Sequence, residues 1–229
     1  MQIEHAYVIN LDRRPERMGY FNSAIAPLLP FKVERLSAYD GQTITPPAAW
    51  RPRTPGAWAI LLSHRALIEM AIDAGWDHLL IFEDDVFPLY PSLTSEIFSR
   101  ALDELPPDWD MCYFGLAYRH EEYFPPVRVT NHLLRPFNAN CAHCYLMSRV
   151  GLRKTVAVFD TWEQWPLDWQ IDWALGYFQE REEINVFSSH PTLFGQSAGI
   201  SDNGDEWLPE RRYEPVRIIE GRPQYLSFT

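Results

Sequence analysis

Three acidic residues stand in a row, Glu83-Asp84-Asp85, directly after the apolar run Leu79-Leu80-Ile81-Phe82. An apolar run without polar alternation reads as a strand covered on both faces, the pattern of a central parallel strand. Strand side chains alternate, which predicts Glu83 and Asp85 on one side and Asp84 on the other. Carboxylates this close repel one another, and the carboxyl end of a central strand is where an open α/β sheet binds ligands. A hard divalent cation, Mn²⁺ or Mg²⁺, would relieve the repulsion and keep coordination positions for the phosphates of a substrate. The alternative is a solvated acidic turn, which the apolar flanks Phe82 and Val86-Phe87 oppose.

Other residues extend the chemistry. Arg13, Arg14 and Arg17 follow the end of a first strand at Asn10-Leu11 and suit a diphosphate or nucleotide pocket, or else a basic turn on an exposed helix. His64 lies on the apolar face of a helix, as a core residue or a ligand. His190, after a late strand, is a candidate metal ligand at the same sheet edge. Asp168 and Asp172 lie one turn apart at a helix start; the first reads as a helix cap or as a general base, with Asp172 as its fallback. Trp162, Trp165, Trp169 and Trp173 suit either a sugar platform or the core.

Three patterns are excluded or discounted. There is no G-x-x-x-x-G-K-[ST] and no G-x-G-x-x-G after the first strand. Gly195-Gln196-Ser197-Ala198-Gly199 matches a hydrolase nucleophile elbow, but turn-like residues follow it and no His comes later in the chain. Cys141 and Cys144 form a C-x-x-C without a second pair for zinc, and read as small buried side chains on or beside a strand.

The elements that must position these groups alternate between strand and helix, which predicts an α/β fold. Strands are expected at 6–11, 31–36, 78–86, 111–116, 142–148 and 184–188. Helices are expected from an Asp12 cap to about 26, and at 58–74, 92–105, 151–159 and 167–178. Residues 45–55, with four prolines, read as a loop, and Gly75 as a helix C-cap. The 229 residues suit one domain over 1–200, with an irregular C-terminal segment over 201–229 packed on or beside it. Apolar residues make up 46% of the chain, enough for a core. The net charge of −11 opposes general nucleic-acid binding and docking on an anionic membrane. No apolar stretch approaches the roughly 18 residues of a membrane span, no signal peptide is visible, and three cysteines suit a reducing, cytoplasmic setting.

The ordered set of motifs resembles glycosyltransferase family 25, the group of bacterial lipopolysaccharide-biosynthesis galactosyltransferases and procollagen galactosyltransferase-like proteins. The matches are Val8-Ile9-Asn10-Leu11-Asp12-Arg13-Arg14-Pro15-Glu16-Arg17, Ala38-Tyr39-Asp40-Gly41, Leu62-Ser63-His64 and Leu80-Ile81-Phe82-Glu83-Asp84-Asp85-Val86. Weaker ones are Ala142-His143-Cys144-Tyr145-Leu146-Met147-Ser148, Pro166-Leu167-Asp168-Trp169 and His190-Pro191. The resemblance implies a GT-A type nucleotide-sugar transferase fold with a mixed, mostly parallel central sheet flanked by helices. It implies an inverting transfer of a hexose, typically galactose, from a UDP-sugar to a glycan or protein acceptor, with a divalent cation. Glu83 and Asp85, with His190, would hold the metal. Asn10, Arg13, Arg17, Ala38, Asp40, Ser63, His64 and Asp84 would border the nucleotide-sugar. Asp168 or Asp172 would serve as the base. The other class of function is a scaffold that binds a glycan or protein partner without turnover.

Overall fold

A computed structural model of the chain describes residues 1–50, 53–203 and 207–221. Parts of the expected loop at 45–55 and of the expected irregular segment at 201–229 therefore lie outside the described residues. The strands are β1 (Ala6–Asn10), β2 (Glu34–Ser37), β3 (His78–Glu83), β4 (Val86–Pro88), β5 (Met111–Tyr118), β6 (Val127–Arg128), β7 (Leu133–Arg135), β8 (Ala139–Ser148), β9 (Val186–Ser189), β10 (Phe194–Gln196), β11 (Gly199–Ile200), β12 (Trp207–Leu208) and β13 (Ile219–Glu220). The helices are α1 (Pro15–Tyr20), α2 (Pro55–Asp73), α3 (Thr94–Glu104), α4 (Arg149–Asp160) and α5 (Ile171–Glu180).

Nine strands form one sheet in the order β13-β6-β7-β9-β5-β8-β3-β1-β2. The α/β class and the mixed central sheet agree with the sequence reading. β1 runs parallel to β2 and β3, while β8 runs antiparallel to both β3 and β5. Of the eight pairings in this sheet among the described residues, four are parallel and four antiparallel, so the sheet is evenly mixed rather than mostly parallel as expected, because β8 and β7 run against their neighbours. β3 therefore sits where the sheet changes from parallel to antiparallel, with the ends of β1 and β3 beside the start of β8.

The core lies in two layers, one on each face of the sheet. Leu79 and Ile81 face α2, α4 and α5, joined by Leu61, Leu67, Ile68, Leu152, Phe159 and Leu175. Leu80 and Phe82 face the other way, against Phe21, Ile25, Phe98 and Leu102. Burial on both faces explains why β3 is apolar from Leu79 to Phe82, each large side chain stabilising the fold by roughly 1.5–3 kcal/mol.

Helix ends follow local chemistry. Thr54 caps α2 by accepting from the Ala57 amide at 3.0 Å, with Pro55 in the first turn, so the helix begins three residues before its expected start. Gly75 takes the expected left-handed conformation after α2, with φ +73°. α1 does not start from an Asp12 cap. Asp12 pairs with Arg35 instead, and Arg14 occupies the cap position without a side-chain bond to the helix amides. After Tyr20 the chain widens into a π-turn over Phe21–Ile25, which turns Phe21 and Ile25 into the core.

Three segments distant in sequence meet closely beside α2. A Cβ on Gly41 would stand 2.7 Å from Gly56 Cα, and one on Gly56 would collide with the Asp202 carbonyl oxygen and stand 2.7 Å from Asn203 Cα. The Gly56→Ala variant is therefore expected to lose about 1–3 kcal/mol in chemical denaturation, because backbone rather than a flexible side chain must yield.

Candidate functional site

The carboxyl end of β3 opens into a cavity of about 250 Å³. Nine of the residues singled out from the sequence line it: Arg13, Arg17, Ala38, Ser63, His64, Glu83, Asp84, Asp85 and Asp172. Asn10 and Asp40 stand behind it as supports. Asn10 donates to Asp84 Oδ2 at 2.6 Å and accepts from Arg35 Nε at 2.8 Å. Asp40 accepts from Arg13 Nε at 2.8 Å. Ser63 donates to the Ala59 carbonyl and accepts from the Tyr39 amide, which pins the 38–41 loop to α2.

The acidic triplet divides as strand alternation requires. Glu83 continues the face of Leu79 and Ile81, and its Oε1 lies 3.3 Å from His64 Nε2 of α2. Tyr145 Oη lies 2.6 Å from His64 Nδ1. In the tautomer that satisfies both contacts, Nε2–H donates to Glu83 and Nδ1 accepts from the phenol. Burial opposes ionisation of Glu83, but the hydrogen bond from His64 and the positive charge around it, Arg17 included, outweigh it, so its carboxyl lies below the usual range. Asp84 points the other way, to Asn10 and to Arg17 Nη1 at 3.0 Å. Its burial outweighs the arginine, and its carboxyl lies above the usual range.

Asp85 lies in the turn after β3, where its carbonyl accepts from the Ser197 amide at 2.7 Å. Burial, reinforced by the charges of Glu83 and Asp84, pushes its carboxyl up to about 8. Its Oδ1 is buried with no hydrogen-bond partner, and Oδ2 has a long 3.4 Å contact from Gln196 Nε2. A buried carboxylate oxygen with free lone pairs, crowded by two further acids, fits a hard cation by its chemistry. Among the described residues no group of three or more His, Cys, Asp and Glu side chains has the arrangement of a metal site. A cation here would therefore take most of its ligands from substrate oxygens and water.

Across the cavity, Asp172 opens α5. Its Oδ2 accepts from the Cys141 amide at 3.3 Å and its Oδ1 from the Trp173 amide at 3.0 Å. Burial raises its pKa, with a smaller contribution from Glu83. Cys141 holds φ +72°, an uncommon conformation for a non-glycine residue, at the start of β8 beside this contact. Cys112, Cys141 and Cys144 are all free thiols, with Cys112 and Cys144 buried.

Two expected site residues are not brought to the cavity. α5 starts at Ile171, so Asp168 lies in the exposed turn before it and does not share a helical face with Asp172. The charge of Asp168 acts on Arg53, a buried residue whose guanidinium donates to the Trp165 and Pro166 carbonyls. His190 follows β9, which β5 and β8 separate from β3; its backbone amide donates to the His132 carbonyl, and Arg128 and His132 are its charged neighbours. His143, on β8 next to β3, is the second imidazole near Glu83: it is fully buried, Nε2 lies 3.1 Å from the Phe194 carbonyl, and Nδ1 has no partner. Gly115 on β5 gives it room, since any Cβ there would collide with the ring.

The tryptophans divide as well. Trp162 packs on Trp50 and Trp58, and Trp165 is buried. Trp169 packs on Tyr177, and Trp173 lies under the Arg119 guanidinium. None of the four lines this cavity.

The C-terminal segment supplies residues that sequence reasoning missed. β10 pairs with β4, and β11 with β12, which brings residues of 196–203 and 207–211 to the cavity. Gln196 and Arg211 exchange backbone hydrogen bonds, and Arg211 lines the cavity with its Nη1 3.5 Å from Tyr213 Oη. Asp202 lines it too, against the arginines of the first turn. No local pattern marks these residues, since strands of two or three residues show no periodicity.

No family model matches the chain. Curated relatives do. The chain is 30% identical over 224 residues to a glycosyltransferase 25 family member of Aedes aegypti, covering 87% of this chain and 35% of that protein. It is 24% identical over 242 residues to the inactive glycosyltransferase 25 family member 3 of Mus musculus, covering 92% and 39%. It is 23% identical over 239 residues to a glycosyltransferase 25 family member of Drosophila pseudoobscura pseudoobscura, covering 90% and 37%. The likeness to glycosyltransferase family 25 read from the motifs is thus a likeness to named members over most of the chain. The chain spans about two fifths of the length of these relatives. Among solved structures, the crystal structure of A197 from STIV overlays with a TM-score of 0.46 at 10% identity, covering 93% of this chain and 96% of that one. Among the described residues, no helix is long and apolar enough to cross a membrane.

The state of Asp85 sets a pH dependence. Its folded pKa lies above that of a free carboxyl, so the bound proton stabilises the fold fully at low pH, and that stability is lost as pH rises through about 8. In metal-free buffer the melting temperature should fall from about pH 5 to about pH 9, and Asp85→Asn, which cannot ionise, should flatten that fall. Equal slopes in the two proteins would show that Asp85 titrates elsewhere.

Proposed function

We propose that the chain is a GT-A-type glycosyltransferase that moves a hexose, most simply galactose, from a UDP-sugar to an acceptor hydroxyl on a glycan or protein. The observation that carries this is Asp85, whose buried and unpartnered carboxylate oxygen stands at the end of β3, with an anion-binding side chemistry on one flank and a second buried acid, Asp172, on the other. The likeness to glycosyltransferase 25 family members supports the reaction class.

The residues divide the work. Asp85, with Glu83 beside it, would hold Mn²⁺ or Mg²⁺, which when bound offsets charge on the donor diphosphate as a Lewis acid. His64 and Tyr145 hold Glu83 in place, and Asn10 and Arg17 hold Asp84, so the acids meet the donor in fixed orientation. Asp172 takes the proton of the acceptor hydroxyl. As that hydroxyl oxygen bonds to the anomeric carbon, the bond from that carbon to the diphosphate oxygen breaks and the nucleoside diphosphate departs, inverting the centre. The raised pKa of Asp172 suits a base, and both its oxygens keep lone pairs beyond the two amides that orient it. Asp168 lies outside the cavity, and the base is assigned to Asp172.

The mouse relative carries the name of an inactive protein, which favours one further reading: a scaffold that binds donor or glycan without turnover. A panel of UDP-sugars with Mn²⁺ separates the two. An active transferase is stabilised in a thermal shift by one donor and releases UDP faster when acceptor is added. A binding scaffold shows the shift without release, and no shift with any donor overturns both. Within the transferase reading, Asp172→Asn should lower turnover by about 10²–10⁴-fold while keeping the donor-induced shift, and Asp168→Asn should leave turnover near that of the wild type.

A further inference from the structure

Arg13, Arg14 and Arg17 converge on one carboxylate, that of Asp202. Arg13 Nη2 lies 2.6 Å from Oδ1 and Arg17 Nη1 3.5 Å from Oδ2. Arg14 grips both oxygens, with Nε 3.2 Å from Oδ2 and Nη2 3.1 Å from Oδ1. This two-pronged grip on a planar carboxylate is the one guanidinium groups also use on phosphate. Asp202 belongs to the C-terminal segment that lines the cavity, more than 180 residues along the chain from the arginines it binds.

We infer that the three arginines form an anion seat for the donor diphosphate, that Asp202 fills this seat as an internal stand-in, and that donor binding displaces it. The inference rests on the nucleotide-sugar reading and adds to it a competitor within the chain. Charge favours such an exchange. Five carboxyl side chains (Glu83, Asp84, Asp85, Asp172 and Asp202) face the cavity against three guanidinium groups (Arg13, Arg17 and Arg211). An entering diphosphate meets an excess of acid while Asp202 stays, and gains the forks of Arg13, Arg14 and Arg17 once it leaves.

The contacts permit the exchange. The Asp202 side chain keeps 16% of its exposure and those of its three partners 22–31%, so each pair is partly screened and worth little alone. The segment is otherwise held by β11 and β12, two residues each, by Arg17 Nη2 donating to the Ile200 carbonyl at 2.9 Å, by the packing of Gly56 on 202–203, and by Asn203, which contacts Thr54 and Gln170. Arg13 and Arg17 keep Asp40 and Asp84 as second partners, so the seat retains its shape without Asp202.

The probe is inorganic pyrophosphate without added metal, titrated calorimetrically into the full chain and into Asp202→Asn. Affinity should rise roughly five- to tenfold in the variant, as removal of a competing ion pair worth about 1 kcal/mol requires. Unchanged or weakened affinity overturns the inference. Hydrogen exchange of the unmodified chain decides the matter even if the variant folds poorly: pyrophosphate should speed amide exchange across 199–203, and unchanged or slowed exchange overturns displacement. UDP-sugars run in parallel separate this inference from the reading beneath it. A pyrophosphate response with no UDP-sugar binding keeps the seat and removes the donor reading; UDP-sugar binding with neither response does the reverse.

Discussion

Three carboxyl groups in succession at the end of a buried strand are held together because the first two are turned to different partners, Glu83 to His64 and Asp84 to Asn10 and Arg17. The backbone of β3 sends Glu83 to the α2 face and Asp84 to the α1 face, and the turn that follows leaves Asp85 between them. Much of the surrounding structure answers that crowding. α2 supplies His64, braced by Tyr145 from β8; β1 supplies Asn10; α1 supplies Arg17. Asp85 alone of the triplet lacks such a partner, and it is the member whose carboxyl is pushed furthest up. The cavity is where the demand for a counter-charge is left to something other than the protein.

The sheet makes this arrangement possible. Parallel β1 and β3 end at the same edge, and antiparallel β8 begins there, so three strands deliver side chains to one spot without a long loop. The neighbours of that edge are short: the turn into α1, the 38–41 loop pinned by Ser63, and the ladder of β10, β11 and β12. The site is thereby built mostly on the regular elements, which position groups more tightly than free loops do.

The legible parts of the sequence are those whose environment is uniform along the chain. β1, β3, β5 and α2 stand out because both faces of the strands and one face of the helix meet apolar partners, and burial writes itself into composition. The acidic triplet was legible because charge directly after such a run has few explanations. Asp168 misled because Pro166 to Asp168 reads as a helix start, whereas the chain makes a turn there and enters the helix at Ile171. His190 misled because a late strand in an α/β chain can be placed at either side of the sheet, and β9 pairs with β5 and β7 rather than near β3. His143, Asp202 and Arg211 were hidden for another reason: they reach the site through pairings across the fold that no local spacing encodes.

The walls of the cavity differ in stiffness. On the α5 side, Arg53 is buried and ties the approach to α2 to the Trp165 and Pro166 carbonyls, while its neighbours Trp50, Trp58 and Trp162 are interlocked. A guanidinium that donates to two carbonyls and lies over the Trp50 ring stays put, because moving it would leave those acceptors unmatched. The opposite wall rests on two-residue strands and partly exposed ion pairs, the kind of structure that opens locally at lower free-energy cost than a packed core. The two walls thus differ in what local opening would cost: Asp172 stands on the tied side, so an opening of the far wall would leave its distance from the β3 acids unchanged.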